Sequence, residues 1–221
     1  LALVMVLSLA ACASSQPAAA STETAETAET TEPAAEESAE APAESGKTYT
    51  VGVCQLVQHE ALDAATQGFV DALKEELGDA VTVDVQNASG DSVNCGTIVN
   101  GFVSKGVDLI MANATPALTA AVSATADIPI LGTSITAYGV ALDIDDFNGT
   151  VGGNVSGTSD LADLQAQAQM ILDWFPETKT VGLLFCSAEP NSRYQIDEVR
   201  KALEAQGVTC EEFAFTDSND V

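Results

Sequence analysis

Short segments of polar residues follow nearly every predicted β-strand of this chain, and they carry the side chains best suited to binding chemistry. Ser, Thr, Asn, Asp, Glu and Gln dominate these segments, and such side chains orient a small polar ligand by hydrogen bonds. The segments are residues 55–59, 89–91, 114–116, 133–136, 158–160 and 187–192. The candidate ligand-binding residues within them are Gln55, His59, Ser89, Ala114, Thr115, Thr136, Asp160, Glu189, Asn191 and Ser192.

Each of these segments also has a purely structural interpretation. Polar residues between a strand and a helix form turns and cap helices. Ser159 or Asp160 could cap the helix that follows, and Asn191 or Ser192 the next one. His59 could begin a helix rather than donate to a ligand. The recurrence of such segments at successive strand ends favours the binding interpretation.

Patterns typical of catalysis and metal binding are absent from the sequence. There is no GxSxG motif and no P-loop, and His59 is the only His, so a catalytic triad is not predicted. The glycine-rich residues 149–154 do not follow the first strand, which argues against a dinucleotide fingerprint. The cysteines form no CxxC pair, so neither a zinc site nor a cofactor is expected.

Strands and helices alternate through most of the chain, which predicts a doubly wound parallel sheet. The first strand is apolar on both faces, as expected for a strand covered on both sides. The predicted strands are residues 48–56, 81–86, 108–112, 128–131, 180–186 and 208–215. The predicted helices are residues 60–77, 93–104, a third that ends at 124, 161–174 and 193–206.

Residues 143–157 interrupt this alternation and are rich in Gly, Asn and Asp, which indicates a crossover between two lobes. We therefore predict an N-terminal α/β lobe at 47–153 and a partial C-terminal α/β lobe at 154–221. The second lobe has too few elements to close a core, so the sequence is expected to be a fragment at both ends. A disulfide between Cys186 and Cys210 requires their strands to be neighbours.

The N-terminal residues predict where the protein works. Residues 1–12 are an apolar run that ends in Leu-Ala-Ala-Cys, and the run is too short to span a bilayer. This pattern fits an incomplete export signal, and it resembles the lipobox of bacterial lipoproteins, in which Cys12 would carry the lipid. The alternatives are an ordinary secretory signal or an apolar helix with Cys12 present by chance.

The acidic composition excludes several classes of partner. Residues 13–46 hold eight of the 33 acidic residues and no Lys or Arg, which predicts a disordered linker. The other 25 stand against seven Lys and Arg, so we expect no contact with nucleic acid and no membrane contact except through the anchor. The acidity would either attract cationic ligands or simply keep the protein soluble.

Five segments carry a resemblance to a known family. They are residues 55–63, 86–91, 114–116, 153–160 and 189–192, in the family's order, and they cover most of residues 48–207. Taken together they resemble the substrate-binding lipoproteins of ABC transporters in the tryptophan/tyrosine (TrpX-like) group. The resemblance implies a two-lobed periplasmic-binding-protein fold of type I, an ABC permease as partner and an aromatic amino acid as ligand.

The resemblance also implies roles for particular residues. Thr136, Asp160, Asn191 and Ser192 would lie in the cleft, with Asp160 opposite the ligand's ammonium group and donors near Thr115 and Ser192 on its carboxylate. The family has Asp-Pro after the position of Thr136, whereas this chain has Ala137-Tyr138, so the ligand stays open and Tyr138 becomes a candidate contact. The expected function is an extracytoplasmic solute receptor without enzymatic activity. A sensing lobe of a signalling system and an enzyme on a similar scaffold are the alternatives.

Overall fold

The computed structural model describes residues 46–216. Cys12, the predicted signal segment and all of the predicted linker except Gly46 lie outside the described residues, as do residues 217–221. No helix between residues 46 and 216 is both long enough and apolar enough to cross a bilayer.

The first sheet has five parallel strands in the order β2-β1-β3-β4-β5. The strands are β1 (Tyr49–Gln55), β2 (Val81–Asn87), β3 (Leu109–Asn113), β4 (Ile130–Ile135) and β5 (Val155–Ser159). The helices between them are α1 (Glu60–Leu77), α2 (Ser92–Lys105), α3 (Thr115–Ala124) and the single turn α4 (Tyr138–Ala141). The predicted parallel α/β architecture is confirmed.

Helices cover both faces of this sheet because alternate residues of its central strands point to opposite sides. Gln55 of β1 bonds Thr66 of α1 on one face. On the other face, Cys54 lies in the core with Cys95 and Phe102 of α2, all of them fully buried. The sheet is therefore doubly wound.

A close contact between β1 and α2 explains the glycine in the middle of β1. A Cβ atom at Gly52 would meet the Phe102 ring at 2.5 to 2.8 Å, closer than two carbon atoms can pack. The absence of a side chain at Gly52 therefore lets the helix pack directly on the strand.

The second sheet has two described strands, β6 (Thr180–Cys186) and β7 (Thr209–Phe215), which pair in parallel. The helices α5 (Leu164–Trp174) and α6 (Pro190–Glu204) pack against each other and form a small core around Ala168, Leu203 and Val208. Leu184 and Phe213, which are partners across the strands, stay more than half exposed. Among the described residues, only one face of β6 is therefore covered.

The passage from one sheet to the other differs from the prediction. Residues 143–157 are not a crossover, because they contain the loop from α4 to β5 and most of β5 itself. β5 pairs with β4, so the first sheet continues past residue 153, where we placed the end of the N-terminal lobe. The described chain passes between the sheets at residues 160–163, which we call the crossover from here on. Composition misled here because Gly and Asn at 148–154 form turns within one lobe as readily as a linker between two.

Three further elements begin or end at different places from those predicted. β4 runs to Ile135, so Thr133 and Ser134 lie in the strand rather than in a loop. α5 begins at Leu164, because Asp163 caps it by accepting from the backbone N–H of Ala166 at 2.9 Å. α6 begins at Pro190 rather than at 193, and proline suits the first turn because that turn needs no donor from it.

The four described cysteines are free thiols. Cys54 is fully buried, whereas Cys186 is only partly buried. The strands of Cys186 and Cys210 are neighbours, but Cys186 pairs with Phe215 while Cys210 pairs with Val181. Five residues of strand separate the two positions, a rise of about 16 Å, so this pairing gives the thiols no route to a bond.

Candidate functional site

Backbone hydrogen bonds join the carboxyl ends of the first sheet's strands into one continuous edge. The N–H of Leu56 donates to the carbonyl of Asn113 at 3.1 Å, and the N–H of Ala88 donates to the carbonyl of Gln55 at 2.9 Å. The N–H of Ala114 continues the pattern to Thr133 at 3.0 Å. Ligands of open α/β sheets bind beyond this edge.

A cavity of about 890 Å³ lies where this edge faces the carboxyl ends of β6 and β7. Its walls are formed by the residues that follow β1 and β2, by the starts of α2 and α3, and by β6, β7 and α6 of the second lobe. The lining residues are Leu56, Val57, Ser89, Gly90, Asp91, Ser92, Pro116, Leu184, Phe185, Cys186, Ala188, Glu189, Ser192, Gln195, Ile196, Phe215 and Thr216. We call this cavity the cleft.

The structure brings three of the predicted site residues together in the cleft: Ser89, Glu189 and Ser192. The Ser192 hydroxyl donates to a Glu189 carboxylate oxygen at 3.0 Å. Glu189 directly precedes α6, but its side chain makes no hydrogen bond that caps the helix. The bond from Ser192 therefore engages one carboxylate oxygen, and no capping bond engages the other. Ser89 adopts a positive φ of 57°, a conformation that lets the chain turn sharply into α2.

The polar part of the cleft combines acidic side chains with the starts of helices. Asp91 and Glu189 are its carboxylates, and the described lining residues include no Lys, Arg or His. α2, α3 and α6 begin at the cleft, with Ser92, Pro116 and Ser192 among its walls. Helix N-termini carry partial positive charge and unpaired N–H groups, which favour anions. One cleft therefore offers groups for both a cation and an anion.

The rest of the cleft is apolar. Leu56, Val57 and Pro116 come from the first lobe. Leu184, Phe185 and Phe215 come from the second, where Leu184 is 60% exposed. Aromatic and aliphatic walls of this kind suit an apolar group on the ligand.

Gln55, although predicted to bind ligand, forms its side-chain hydrogen bonds within the first lobe. Its Oε1 accepts from the Thr66 hydroxyl at 2.6 Å, and its Nε2 donates to Asp63 at 2.6 Å and to the carbonyl of Val57 at 2.8 Å. Asn113, fully buried, donates to Thr66 at 2.9 Å. Gln55 thus holds the end of β1 in place and borders a second, shallower cavity of about 710 Å³ beside α1.

His59, Ala114 and Thr115 lie outside the cleft walls. The Nδ1 atom of His59 accepts from the N–H of Ala61 at 3.2 Å and caps α1, which is the structural interpretation given above. Thr115 is 2% exposed at the start of α3. Ala114 has φ 89° and ψ 157°, a region normally reserved for glycine. Such strain beside a cleft is typical of functional sites.

Thr136, Asp160 and Asn191 also lie outside the walls. The Asp160 N–H donates to the carbonyl of Ile135 at 3.1 Å, and the Thr136 carbonyl accepts from Ser159 at 2.9 Å. Asn191 is in the first turn of α6, and its Oδ1 is buried without a described hydrogen-bond partner. A ligand role for these residues stays a prediction.

Tyr138, the position that departs from the family pattern, is buried at 7% exposure. Its hydroxyl lies within hydrogen-bond distance of the carbonyls of Gly132 and Thr158. Burial and the negative charge of Asp160 raise the pKa of this phenol to about 12. The hydroxyl is therefore engaged in hydrogen bonding within the first lobe and does not line the cleft.

The apolar walls of the cleft were not predicted from the sequence. Leu184 and Phe215 belong to predicted strands, but only the two-stranded pairing shows that their face borders the cleft. Asp91 was inside a candidate segment without being chosen. It also caps α2, its Oδ1 accepting from Val93 N–H at 2.7 Å, and a carboxylate directly before a predicted helix could have identified it.

The chemistry of a nucleophile or a metal centre finds little support among these residues. The hydrogen bond with Cys95 and burial both raise the pKa of the Cys54 thiol, which keeps it protonated. Within residues 46–216, no group of three or more His, Cys, Asp and Glu side chains is arranged to hold a metal ion. The cleft is suited to holding a molecule through hydrogen bonds, charge and apolar contact.

This chain is similar in sequence and in structure to known proteins. Residues 50–221 match the family model described as ABC transporter substrate binding protein. The tyrosine-binding protein of Clostridioides difficile (strain R20291) is 34% identical over 184 residues, which is 80% of this chain and 52% of that protein. This chain therefore spans about half the length of this curated relative.

Two solved structures are similar over most of this chain. One is an ABC domain from Streptococcus pneumoniae in complex with L-Trp, which is 36% identical with a TM-score of 0.73 over 79% of this chain and 60% of that one. The other is the ligand-free, open structure of a Clostridium difficile substrate-binding protein with adhesive properties. It is 37% identical, with a TM-score of 0.56 over 78% of this chain and 59% of that one.

Proposed function

This chain belongs to the family of ABC transporter substrate-binding proteins, and from that premise we propose that it binds an aromatic amino acid in the cleft. The observation that carries the proposal is the double character of the cleft. Carboxylates and helix N-termini suit the two charged groups of an α-amino acid, and the apolar walls suit an aromatic side chain.

The ligand class has support from the relatives. One similar protein is a tyrosine-binding protein and another was solved with L-Trp. The described lobes also superpose better on the L-Trp-bound chain than on the open, ligand-free chain at nearly equal identity. This difference supports a cleft arrangement close to the one that holds ligand.

Three carboxylates are candidates for the ligand's ammonium group in this proposal, and one of them, Asp91 on the cleft wall, already caps α2. Glu189 lines the cleft, whereas Asp160 is exposed at the start of the crossover and was expected from the family resemblance. We favour Glu189, because its position before α6 brings it next to Ser192 on the cleft wall. The remaining predicted residues would act by holding the strand ends that shape the cleft.

Calorimetry of the full chain with L-tryptophan and L-tyrosine tests the proposal. Indole-3-propionate lacks the ammonium group, tryptamine lacks the carboxylate, and both should bind at least about tenfold more weakly, since each loses a charge-assisted hydrogen bond. Glu189→Gln should weaken L-tryptophan by a similar factor, and Glu177→Gln, an exposed control, should not. Absence of binding by both amino acids would refute the proposal. A loss with Asp160→Asn but not with Glu189→Gln would move the ammonium site to Asp160.

The cellular setting follows from the same family. Proteins of this family work outside the cytoplasm and deliver ligand to an ABC permease, so we propose the same partner here, without enzymatic turnover. We propose that lipid on Cys12 is the only membrane contact. Cys12→Ser should then move the protein from the membrane fraction to the soluble fraction, and retention of the variant in membranes would contradict the anchor.

A further inference from the structure

The hydroxyl of Tyr138 is enclosed between two strands of the first sheet. It lies 3.0 Å from the carbonyl oxygen of Gly132 on β4 and 3.2 Å from that of Thr158 on β5. A phenol has one proton, so it donates to one of these acceptors at a time. The side chain thus bridges β4 and β5 from a helix that begins at Tyr138 itself.

Two glycines make room for this hydroxyl. Gly132 and Gly157 are partners in the register of β4 and β5. A Cβ atom on either glycine would collide with the Tyr138 hydroxyl oxygen, and one on Gly157 would also collide with the Gly132 backbone. The bridge therefore depends on three residues that fit together, and a larger residue at either glycine would exclude it.

The bridge lies where the ladder between β4 and β5 is irregular. The pairing shifts register between Gly132 and Ile135, so regular backbone bonds are interrupted there. Beyond the shift, the strands are rejoined by the Asp160 N–H bond to the Ile135 carbonyl. Ser159 adds a bond from its hydroxyl to the Thr136 carbonyl. The Tyr138 hydroxyl contacts the carbonyl of Thr158, the residue that directly precedes Ser159 and Asp160 in the chain.

This end of β5 is also where the chain leaves the first lobe. Residues 160–163 lead directly from β5 to α5, so the position of β5 sets where the passage to the second lobe begins. The second lobe supplies Glu189, Ser192 and most of the apolar wall of the cleft. A shift at the end of β5 would therefore be transmitted to one side of the cleft.

We infer that Tyr138 is a positioning residue whose hydroxyl fixes the end of β5, and through the crossover the placement of the second lobe's half of the cleft. The part of this inference that concerns the cleft rests on the proposed function; the part that concerns β5 does not. The Ala137-Tyr138 pair then has a role within the fold in place of ligand contact.

Hydrogen exchange on the ligand-free full chain tests the first part. Tyr138→Phe keeps the ring and removes the hydroxyl, and it should speed exchange of the Asp160 and Leu161 amides by about tenfold, the change expected for one lost hydrogen bond. Tyr49→Phe removes the same group from the start of β1 and should leave these amides unchanged. Equal exchange in wild type and Tyr138→Phe would overturn the inference, whatever the ligand proves to be.

Ligand affinity tests the second part. In wild type that binds L-tryptophan, Tyr138→Phe should weaken binding several-fold, whereas Tyr49→Phe should not. Faster exchange together with unchanged affinity would overturn the link between β5 and the cleft. If wild type binds no aromatic amino acid, the proposed function fails, while the exchange result still decides the role of Tyr138 at β5.

Discussion

The first lobe encloses its sheet between helices, whereas the described second lobe covers one face of a two-stranded sheet. Phe102 and Ile110 of the first lobe are completely buried, and the polar network of Gln55, Thr66 and Asn113 is buried with them. In the second lobe, Leu184 and Phe213 are exposed and much of the polar contact is between surface charges. The first lobe thus holds its half of the cleft by packing, and the second largely by contacts open to water.

The largest expected effect on stability comes from comparing a buried phenylalanine of the first lobe with a half-exposed phenylalanine of the second. Phe102→Ala should lower the free energy of unfolding by about 3–5 kcal/mol, because it removes a fully buried ring that packs on Gly52. Phe213→Ala, which removes a ring that is 53% exposed, should cost below about 1 kcal/mol. Urea denaturation of both variants measures the difference, and equal losses would mean that the two lobes are equally well packed.

Alkaline pH should weaken the first lobe through Tyr138. Its pKa is raised from 10.0 to about 12 in the folded protein, so the unfolded chain loses this proton first. The contribution of this phenol to the free energy of unfolding is therefore constant below pH 10, and it falls by about 1.4 kcal/mol per pH unit between pH 10 and 12. Denaturation curves of Tyr138→Phe should lack this part of the decline. A Tyr49→Phe variant that flattens the curve equally would assign the decline elsewhere.

The buried network offers a test of intermediate size. Thr66→Val keeps the shape of the side chain but leaves the Gln55 Oε1 and one Asn113 donor without their partner. The expected loss is about 1–3 kcal/mol, the cost of unpaired buried polar groups. Thr97→Val, on the exposed side of α2, is the matched control and should cost below about 1 kcal/mol. Thermal unfolding of both variants at neutral pH distinguishes them.

The smallest effect belongs to the charged surface of the second lobe. Arg193 donates to both carboxylate oxygens of Glu212, at 2.7 and 2.8 Å, and Arg200 also pairs with Glu212. Since these groups are partly exposed, Glu212→Gln should cost below about 1 kcal/mol and less at high salt. A loss that is larger, or that salt does not reduce, would show that this cluster acts as a buried network and would narrow the contrast between lobes.

Sequence patterns predicted the first lobe better than the passage out of it. The helix predicted at residues 60–77 is α1, because its apolar stripe is regular and Gly78 ends it. β5 escaped prediction because Val-Ser-Gly-Thr-Ser has little strand propensity, and it forms a strand only by pairing with β4. Such pairing is a tertiary effect that local sequence does not encode.

The candidate site, too, could be predicted from the sequence only in part. Ser89, Glu189 and Ser192 could be found from their places after strands, since the carboxyl ends of parallel strands meet at one edge. Gln55 and His59 were chosen on the same ground, but their side chains bond within the first lobe. Which polar group faces a cleft depends on its rotamer and neighbours, and these follow from the packed structure.

The brevity of the crossover has a consequence for how the two halves of the cleft are held together. Four residues, 160–163, reach at most about 14 Å when fully extended. A tether this short keeps the two halves of the cleft at an effective concentration in the millimolar range or above. If the two halves meet around the proposed ligand, that event is intramolecular, and most of the translational entropy of bringing two surfaces together has already been lost in the covalent chain.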